Sequence, residues 1–251
     1  KSKIKNTKSL LNDIKEDKEC SNTVFFELKE KKEHWFEKYN WFYTSHKNLV
    51  ISGKTAQQNE EIYKRIEKSD IYVHSDVAGS GSCIIKGDNK EIHPKSIEEA
   101  GSFVICHTKA WKSGVPDNAW WVYPNQVSKT TQTGEYITKG SFIVRGKKNY
   151  IKNTKLELGL GIMFKNKNED FLSPVPKEIL YGVPVCGIYQ SLSNFKFKVK
   201  IIPGYKKVGK MIKEIIPYFK KKSNNFEKAI INKIPIDCFN RVMVNNIKVV
   251  F

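Results

Sequence analysis

Apolar and polar positions change rhythm several times along the chain, and each change predicts an element. Taking Ile4 as position a, the first 34 residues and Trp35 place Ile4, Thr7, Leu11, Ile14, Lys18, Ser21, Phe25, Leu28, Lys32 and Trp35 at a and d, six of the ten apolar. That is a worn heptad with a polar break at Lys18 and Ser21, and an ordinary amphipathic helix fits the same residues. From residue 35 the pattern shortens. Segments 49–52, 70–74, 82–86, 119–123, 136–145 and 156–165 read as strands bounded by glycine or polar turns. A helix is predicted over 56–67. A second begins near Pro94 and carries Ile97, Ala100, Gly101, Val104, Ile105, Thr108 and Trp111 on one face, with Phe103 and Cys106 flanking it. So wide an apolar surface belongs inside. Strands that cluster, rather than alternating one for one with helices, argue for an α+β fold with a mixed, largely antiparallel sheet.

Pro174 and Pro176 interrupt regular structure and mark a boundary. The domain reading is an arm over 1–34, a first unit over 35–168, a linker over 169–180 and a small α+β unit over 181–251. In the last unit, 195–201 alternates strictly as Phe, Lys, Phe, Lys, Val, Lys, Ile, helices are predicted around 208–221 and 226–232, and 241–251 ends as a strand. Period-two geometry puts Phe195, Phe197, Val199 and Ile201 on the core face and Lys196, Lys198 and Lys200 in a row on the other. Such a row suits a phosphate backbone, and it equally suits an edge strand that uses lysines against aggregation.

Charge adds a direction. Lysine and arginine number 44 against 26 acidic residues in 251, a net charge of +18 that favours a polyanionic partner. Residues 1–34 contribute +2, residues 35–170 +5 and residues 171–251 +11, so the last third supplies most of it. Apolar content of 39% is too rich for a disordered basic tail. No apolar run reaches the roughly 18 residues a bilayer span requires, so no membrane partner is expected. The start at Lys1, with neither signal peptide nor initiator methionine, reads as a fragment of something longer. Five scattered cysteines form no framework, and no Asn-x-Ser/Thr acceptor occurs, which fits a reducing, cytoplasmic setting.

Candidate chemistry is thin. Ser52-Gly53-Lys54-Thr55 lacks the earlier glycine a phosphate loop needs, because Asn48 stands there. His74, Cys83, His93, Cys106 and His107 show no metal-ligand spacing, and buried Cys with satisfied His explains them more cheaply, so no metal or cofactor is expected. Asp70, Asp76 and Asp117 show no readable pairing, so no catalytic residue is assigned and an enzyme is not expected. Residues 139–145 partly match the stacking strand of RNA-recognition motifs, but Ser141 stands where that motif needs an aromatic. Behind it Arg145, Gly146, Lys147, Lys148, Asn149 and Tyr150 form a turn able to fan cations toward phosphates, or simply a solvated hairpin end.

The motifs HWFEKYNWF (34–42), LVISGKTAQQNEEIYKR (49–65), DIYVHSDVAGSGSCIIK (70–86), EEAGSFVICHTKAW (98–111), AWWVYPNQVSK (119–129) and TGEYITKGSFIVRGKKNY (133–150) closely resemble the NFACT-R domain. YGVPVCGIYQSLSNFKFKVKIIPGYKKVGK (181–210) looks like NFACT-C, and the matches run in family order. The resemblance is to the NFACT family, whose eukaryotic branch is the nuclear export mediator factor proteins of ribosome-associated quality control. It implies binding to the large ribosomal subunit and its RNA, with peptidyl-tRNA held and the small subunit kept from rejoining. It further implies recruitment of alanyl-tRNA for C-terminal tailing and of a listerin-type E3 ubiquitin ligase. Residues 1–34 would then be the end of the family's coiled-coil arm. The family's N-terminal domains are missing from this sequence, so no tailing residue is assigned. Its long acidic linker is also missing, and with it +18 would overstate the charge of the complete protein.

Within the first unit Lys129, Arg145, Lys147 and Lys148 are the expected RNA contacts, with His74 and Tyr136 as stacking or hydrogen-bonding partners. In the last unit the expected contacts are Lys196, Lys198, Lys200, Lys206 and Lys207. The competing reading is a protein-interaction scaffold whose basic surface only solubilises it.

Overall fold

The computed structural model describes residues 33–130, 137–165 and 181–251, and opens with strands β1 (Asn40–Tyr43) and β2 (Leu49–Ser52) paired as a hairpin. Every residue of β2 is buried, which suits its continuous Leu-Val-Ile run and a place inside the sheet. Thr55 caps helix α1 (Ala56–Tyr63), its hydroxyl accepting from the Gln58 backbone N–H. Strands β3 (Ile71–His74) and β4 (Cys83–Ile85) lead to helix α2 (Pro94–Cys106) and the short α3 (Lys109–Ser113). Pro94 begins α2 where no N–H is needed, and the His93 ring accepts from Lys95 N–H at 3.1 Å. Strands β5 (Ala119–Val122), β6 (Val127–Ser128), β7 (Ile143–Val144) and β8 (Asn149–Ile151) complete this half.

Six strands form an antiparallel sheet in the order β1-β2-β4-β3-β5-β8, while β6 and β7 pair as a separate ribbon. Helix α2 covers one face of that sheet through the apolar stripe predicted for it; Ala100, Phe103, Val104 and Ile105 are buried. Gly101 permits the close approach, since a Cβ there would stand 2.7 Å from Ile151 Cδ1.

The second sheet is also antiparallel, ordered β10-β9-β11-β12 from β9 (Leu158–Lys165), β10 (Tyr181–Ile188), β11 (Phe197–Lys206) and β12 (Ile247–Val250). Helices α4 (Val208–Lys221), α5 (Asn225–Lys233) and α6 (Ile236–Val242) complete it, with Phe219 of α4 edge-on to Phe197 at 5.9 Å. The two halves share one apolar core. Gly187 of β10 backs onto Phe42 of β1, the Trp111 indole N–H reaches the carbonyls of Asn245 and Asn246 at 3.0 and 3.1 Å, and the Lys54 ammonium donates to Arg241 O at 2.9 Å.

The α+β class and the antiparallel pairing are those expected, and several elements differ. Of segment 136–145, the described residues 137–145 are strand only at β7. Gly140, at φ +83°, turns the chain so that its N–H meets Glu60 Oε1 at 2.8 Å and Phe142 stacks on Tyr63. Strand β9, read into the first unit, is hydrogen-bonded into the second sheet between β10 and β11. The edge-strand reading of the lysine row is overturned, because β11 lies between β9 and β12. The chain end is helix through Val242 before β12 forms. Residues 1–32 of the arm, the linker and Tyr136 lie outside the described residues.

Candidate nucleic-acid interface

Strand alternation builds the site. Residues paired across antiparallel strands share a face, so the registers His74↔Trp120 and Trp120↔Tyr150 put Tyr72, His74, Trp120 and Tyr150 on the face away from α2. Val73, Trp121 and Ile151 fall on the α2 face. The two tryptophans therefore part company: Trp120 is buried, and Trp121 is half-buried and edge-on to Tyr123 at 5.2 Å.

Over that face lies a cleft of about 510 Å³, lined by Tyr72, His74, Asp76, Ser80, Ser82, Trp120 and Lys148, by Ala56 and Asn59 of α1, and by Lys139–Phe142 and Val144. Asn59 locks its wall, with its amide donating to Gly140 O at 3.3 Å and its carbonyl accepting from Ser82 N at 3.0 Å. The Trp120 indole N–H donates to Asp76 Oδ1 at 3.0 Å, and Lys148 donates to the same oxygen at 3.1 Å. The Lys148 ammonium also stands 4.2 Å from the Trp120 ring centroid, a cation–π contact. Partial burial works to raise the Asp76 pKa, but the bonds from Trp120 and Lys148 outweigh it and hold the carboxyl below its ordinary value.

His74 Nδ1 lies 3.0 Å from the Gly81 carbonyl and 3.2 Å from Ser80 Oγ. A carbonyl only accepts, so Nδ1 carries the proton. Burial holds the ring below the ordinary histidine pKa, which leaves it neutral with Nε2 as a bare acceptor.

The other expected contacts of this half surround the β6–β7 ribbon. Lys129 is ion-paired with Glu60, and its ammonium lies 5.4 Å from the Phe142 centroid. Arg145 donates from its guanidinium to Thr130 O at 3.4 Å. The Gln126 side-chain amide holds the following turn, donating to the carbonyls of Arg145 and Lys147 at 2.9 and 3.2 Å across Gly146 at φ +82°. Lys147 is exposed there, and neither it nor Lys139 has an ion-pair partner among the described residues. The structure thus brings His74 and Lys148 into one cleft and leaves Lys129, Arg145 and Lys147 around the ribbon. Asp76, Ser80 and Lys139 are cleft residues that the sequence reading did not assign. The alternation of Asp-Ile-Tyr-Val-His signals which β3 residues share a face, but only the strand register joins them to Trp120 and Lys148.

The second lysine group is differently occupied. Lys196 reaches both carboxylate oxygens of Glu227 at 2.6 and 2.8 Å, and Lys198 donates to the carbonyls of Leu192 and Ser193 at 3.0 and 2.6 Å. Lys200 pairs with Glu157 at 3.1 Å and Lys206 with Glu214 at 3.1 Å, while Lys207 is exposed before α4. Phe197, Val199 and Ile201 are buried as the alternation requires.

The remaining motifs have structural occupations. Thr55 is the α1 cap and Lys54 crosses to Arg241 O, its pKa lowered by burial. Cys106 is buried with Sγ 3.4 Å from Lys155 O, and burial pushes its thiol well above the ordinary value, the reverse of an activated nucleophile.

Two family models match the chain: "NFACT protein RNA binding domain" over residues 38–146 and "NFACT protein C-terminal domain" over residues 167–250. The cleft lies almost wholly within the first. The chain is 45% identical over 167 residues to "Ribosome quality control complex subunit NEMF" of Homo sapiens, a match covering 66% of this chain and 15% of that protein. It is 47% identical over 154 residues to the Drosophila melanogaster NEMF homolog, covering 61% and 15% respectively. Against "Archaeal Rqc2 homolog aRqcH" of Methanocaldococcus jannaschii it is 35% identical over 192 residues, covering 76% of this chain and 27% of that protein. The chain thus spans a minor part of the length of these relatives.

Proposed function

The chain belongs to the NFACT family of ribosome quality control proteins, and from that premise we propose that this part of it is a cytoplasmic RNA-docking module for the large ribosomal subunit. The observation that carries the reading is the cleft over Tyr72, His74 and Trp120, lined also by Lys139 and Lys148 and lying almost wholly inside the segment that matches an RNA-binding domain. Aromatic side chains with adjacent cations are the equipment for unstacked bases and phosphates. The module acts by binding and carries no catalytic step of its own. In the complete protein it contributes to holding a split large subunit with its peptidyl-tRNA, to keeping the small subunit away, and to the alanyl-tRNA recruitment and listerin-type ligase recruitment that follow. Among the described residues no helix is long and apolar enough to cross a membrane.

Binding of the chain to purified large subunits, measured across salt, tests this. Contacts to about six phosphates lower affinity by roughly a thousandfold between 50 and 200 mM salt. Charge reversal at Lys139, Lys147 and Lys148 together should remove most of the binding. Salt-independent binding that survives those changes would overturn the reading. A scaffold reading draws on the groove lined by Trp41, Val183, Pro184, Ile234, Pro235 and Val242, of about 230 Å³. Nuclease treatment separates the two, because a scaffold keeps its partners after RNA digestion and a docking module loses them.

A further inference from the structure

Two hydrogen-bond acceptors in the cleft have no protein partner among the described residues. Asp76 directs Oδ1 to Trp120 and Lys148, while its Oδ2 has no hydrogen-bond partner among the described residues. His74 uses Nδ1 on Gly81 and Ser80, so Nε2 is likewise unpartnered among them and can only accept. At the same cleft Lys139 and Lys148 supply positive charge. A space of about 510 Å³ is sufficient for one nucleotide.

Acceptor-rich walls beside cations match a group that is anionic at one end and donates hydrogen bonds at the other. Adenine, cytosine and guanine each carry an exocyclic amine, whereas uracil places two carbonyl oxygens around its single N–H. That one N–H can satisfy only one of the two acceptors and sets a carbonyl against the other, whereas an exocyclic amine has two N–H groups to give. Resting on the RNA-docking reading, we propose that the cleft takes one extruded nucleotide of single-stranded RNA and selects amino-bearing bases over uracil through Asp76 Oδ2 and His74 Nε2, with Lys139 and Lys148 on its phosphate. Tyr150 is 57% exposed on the same sheet face beside Trp120, and offers the neighbouring base a surface to stack on.

The test measures fluorescence anisotropy of the full chain with five-residue RNAs: oligouridine, and the same oligomer with adenosine, cytidine or guanosine at the centre. The substituted oligomers should bind about tenfold more tightly than oligouridine, the discrimination of a base-edge hydrogen bond. Asp76→Asn replaces one acceptor by a donor and should bring oligouridine to within about twofold of the others, while His74→Phe keeps an aromatic ring and should also shrink the preference. If His74→Phe does not fold, His74→Gln, whose side chain retains an acceptor, should preserve part of the discrimination. Salt-sensitive binding with equal affinity for all four oligomers, or tightest binding of oligouridine, would overturn base selection and leave RNA docking standing. Loss of binding to every oligomer and to large subunits alike would remove both.

Discussion

The two lysine groups of this molecule have similar composition and opposite circumstances. In the second half Lys196, Lys198, Lys200 and Lys206 are all engaged, by Glu227, by two backbone carbonyls, by Glu157 and by Glu214. In the first half Lys148 shares one carboxylate oxygen with an indole N–H beside an open cleft, and Lys139 and Lys147 have no ion-pair partner among the described residues. Net charge ranks the second half first, at +11 for residues 171–251 against +5 for residues 35–170. Local geometry reverses that ranking for nucleotide recognition. Charge supplies attraction over a Debye length, whereas reading a base requires unused polar atoms in a space of the right size. The exposed pairs of the second half still attract phosphate, because surface ion pairs are weak and exchange readily.

The comparison breaks most sharply where a lysine is buried. Lys86 is a buried lysine of the first sheet, 2.7 Å from Asp70 Oδ2, and Asp70 has no exposed side-chain surface. Asp70 also accepts from the N–H groups of Glu67 and Gly87 at 2.9 and 3.0 Å. Asp70→Asn leaves the Lys86 ammonium with Glu67, at 3.1 Å, as its remaining carboxylate and should cost about 1–3 kcal/mol in urea unfolding. A cost below about 1 kcal/mol would place Lys86 in the same class as the surface lysines of β11.

Acid provides the next contrast, because all five histidines precede residue 108 and the second half has none. His107, the partly buried C-cap of α2, donates from Nδ1 to Phe103 O at 2.8 Å. Burial brings its pKa down to about 4, with the nearby Lys54 acting the same way and the Phe103 bond opposing them. The unfolded chain titrates this ring near 6.5, so between those values the unfolded state binds more protons. Stability is therefore complete above about pH 6.5 and is lost as pH falls toward 4. A drop from pH 7 to 5 should remove about 2 kcal/mol of unfolding free energy through His107. His74, also lowered by burial, adds to the loss with the same sign. His107→Gln should flatten the profile, and an unchanged slope in that variant would assign the acid sensitivity elsewhere.

How far the sequence discloses all this depends on the range of the interaction concerned. Local periodicity gives α2, β3, β5 and the core face of β11, because those patterns depend only on near neighbours. It fails at 136–145, where a β-like composition is overridden by Gly140 in a left-handed turn bonded to Glu60, 80 positions away in the chain. It fails again at β9, whose pairing with β10 and β11 is a matter of long-range register. The cleft has the same character. His74 and Lys148 can be suspected from their motifs, but the carboxylate joining Lys148 to Trp120 belongs to Asp76, 72 positions from Lys148. No spacing rule brings them together. The lysine row is the converse case: its alternation is local and visible, while the carboxylates of Glu227 and Glu157 that meet Lys196 and Lys200 are distant in the chain and invisible.

The smallest expected effect separates the two groups most finely. Lys200→Ala removes an ion pair that is about one-third exposed at each end, so its stability cost should be below about 1 kcal/mol. Against large subunits, Lys147→Ala should reduce the slope of log affinity against log salt by close to one, because that ammonium gives up no ion-pair partner to reach a phosphate. Lys200→Ala should change the slope by clearly less, since its cation is already compensated by Glu157 and binding releases correspondingly little counterion. Converting Glu157 to Gln should then make Lys200 behave like Lys147, restoring a full-sized slope change on its removal. Equal slopes for Lys147→Ala and Lys200→Ala with Glu157 intact would mean that the internal pairs open freely in the complex, and that the two lysine groups differ in the free protein alone.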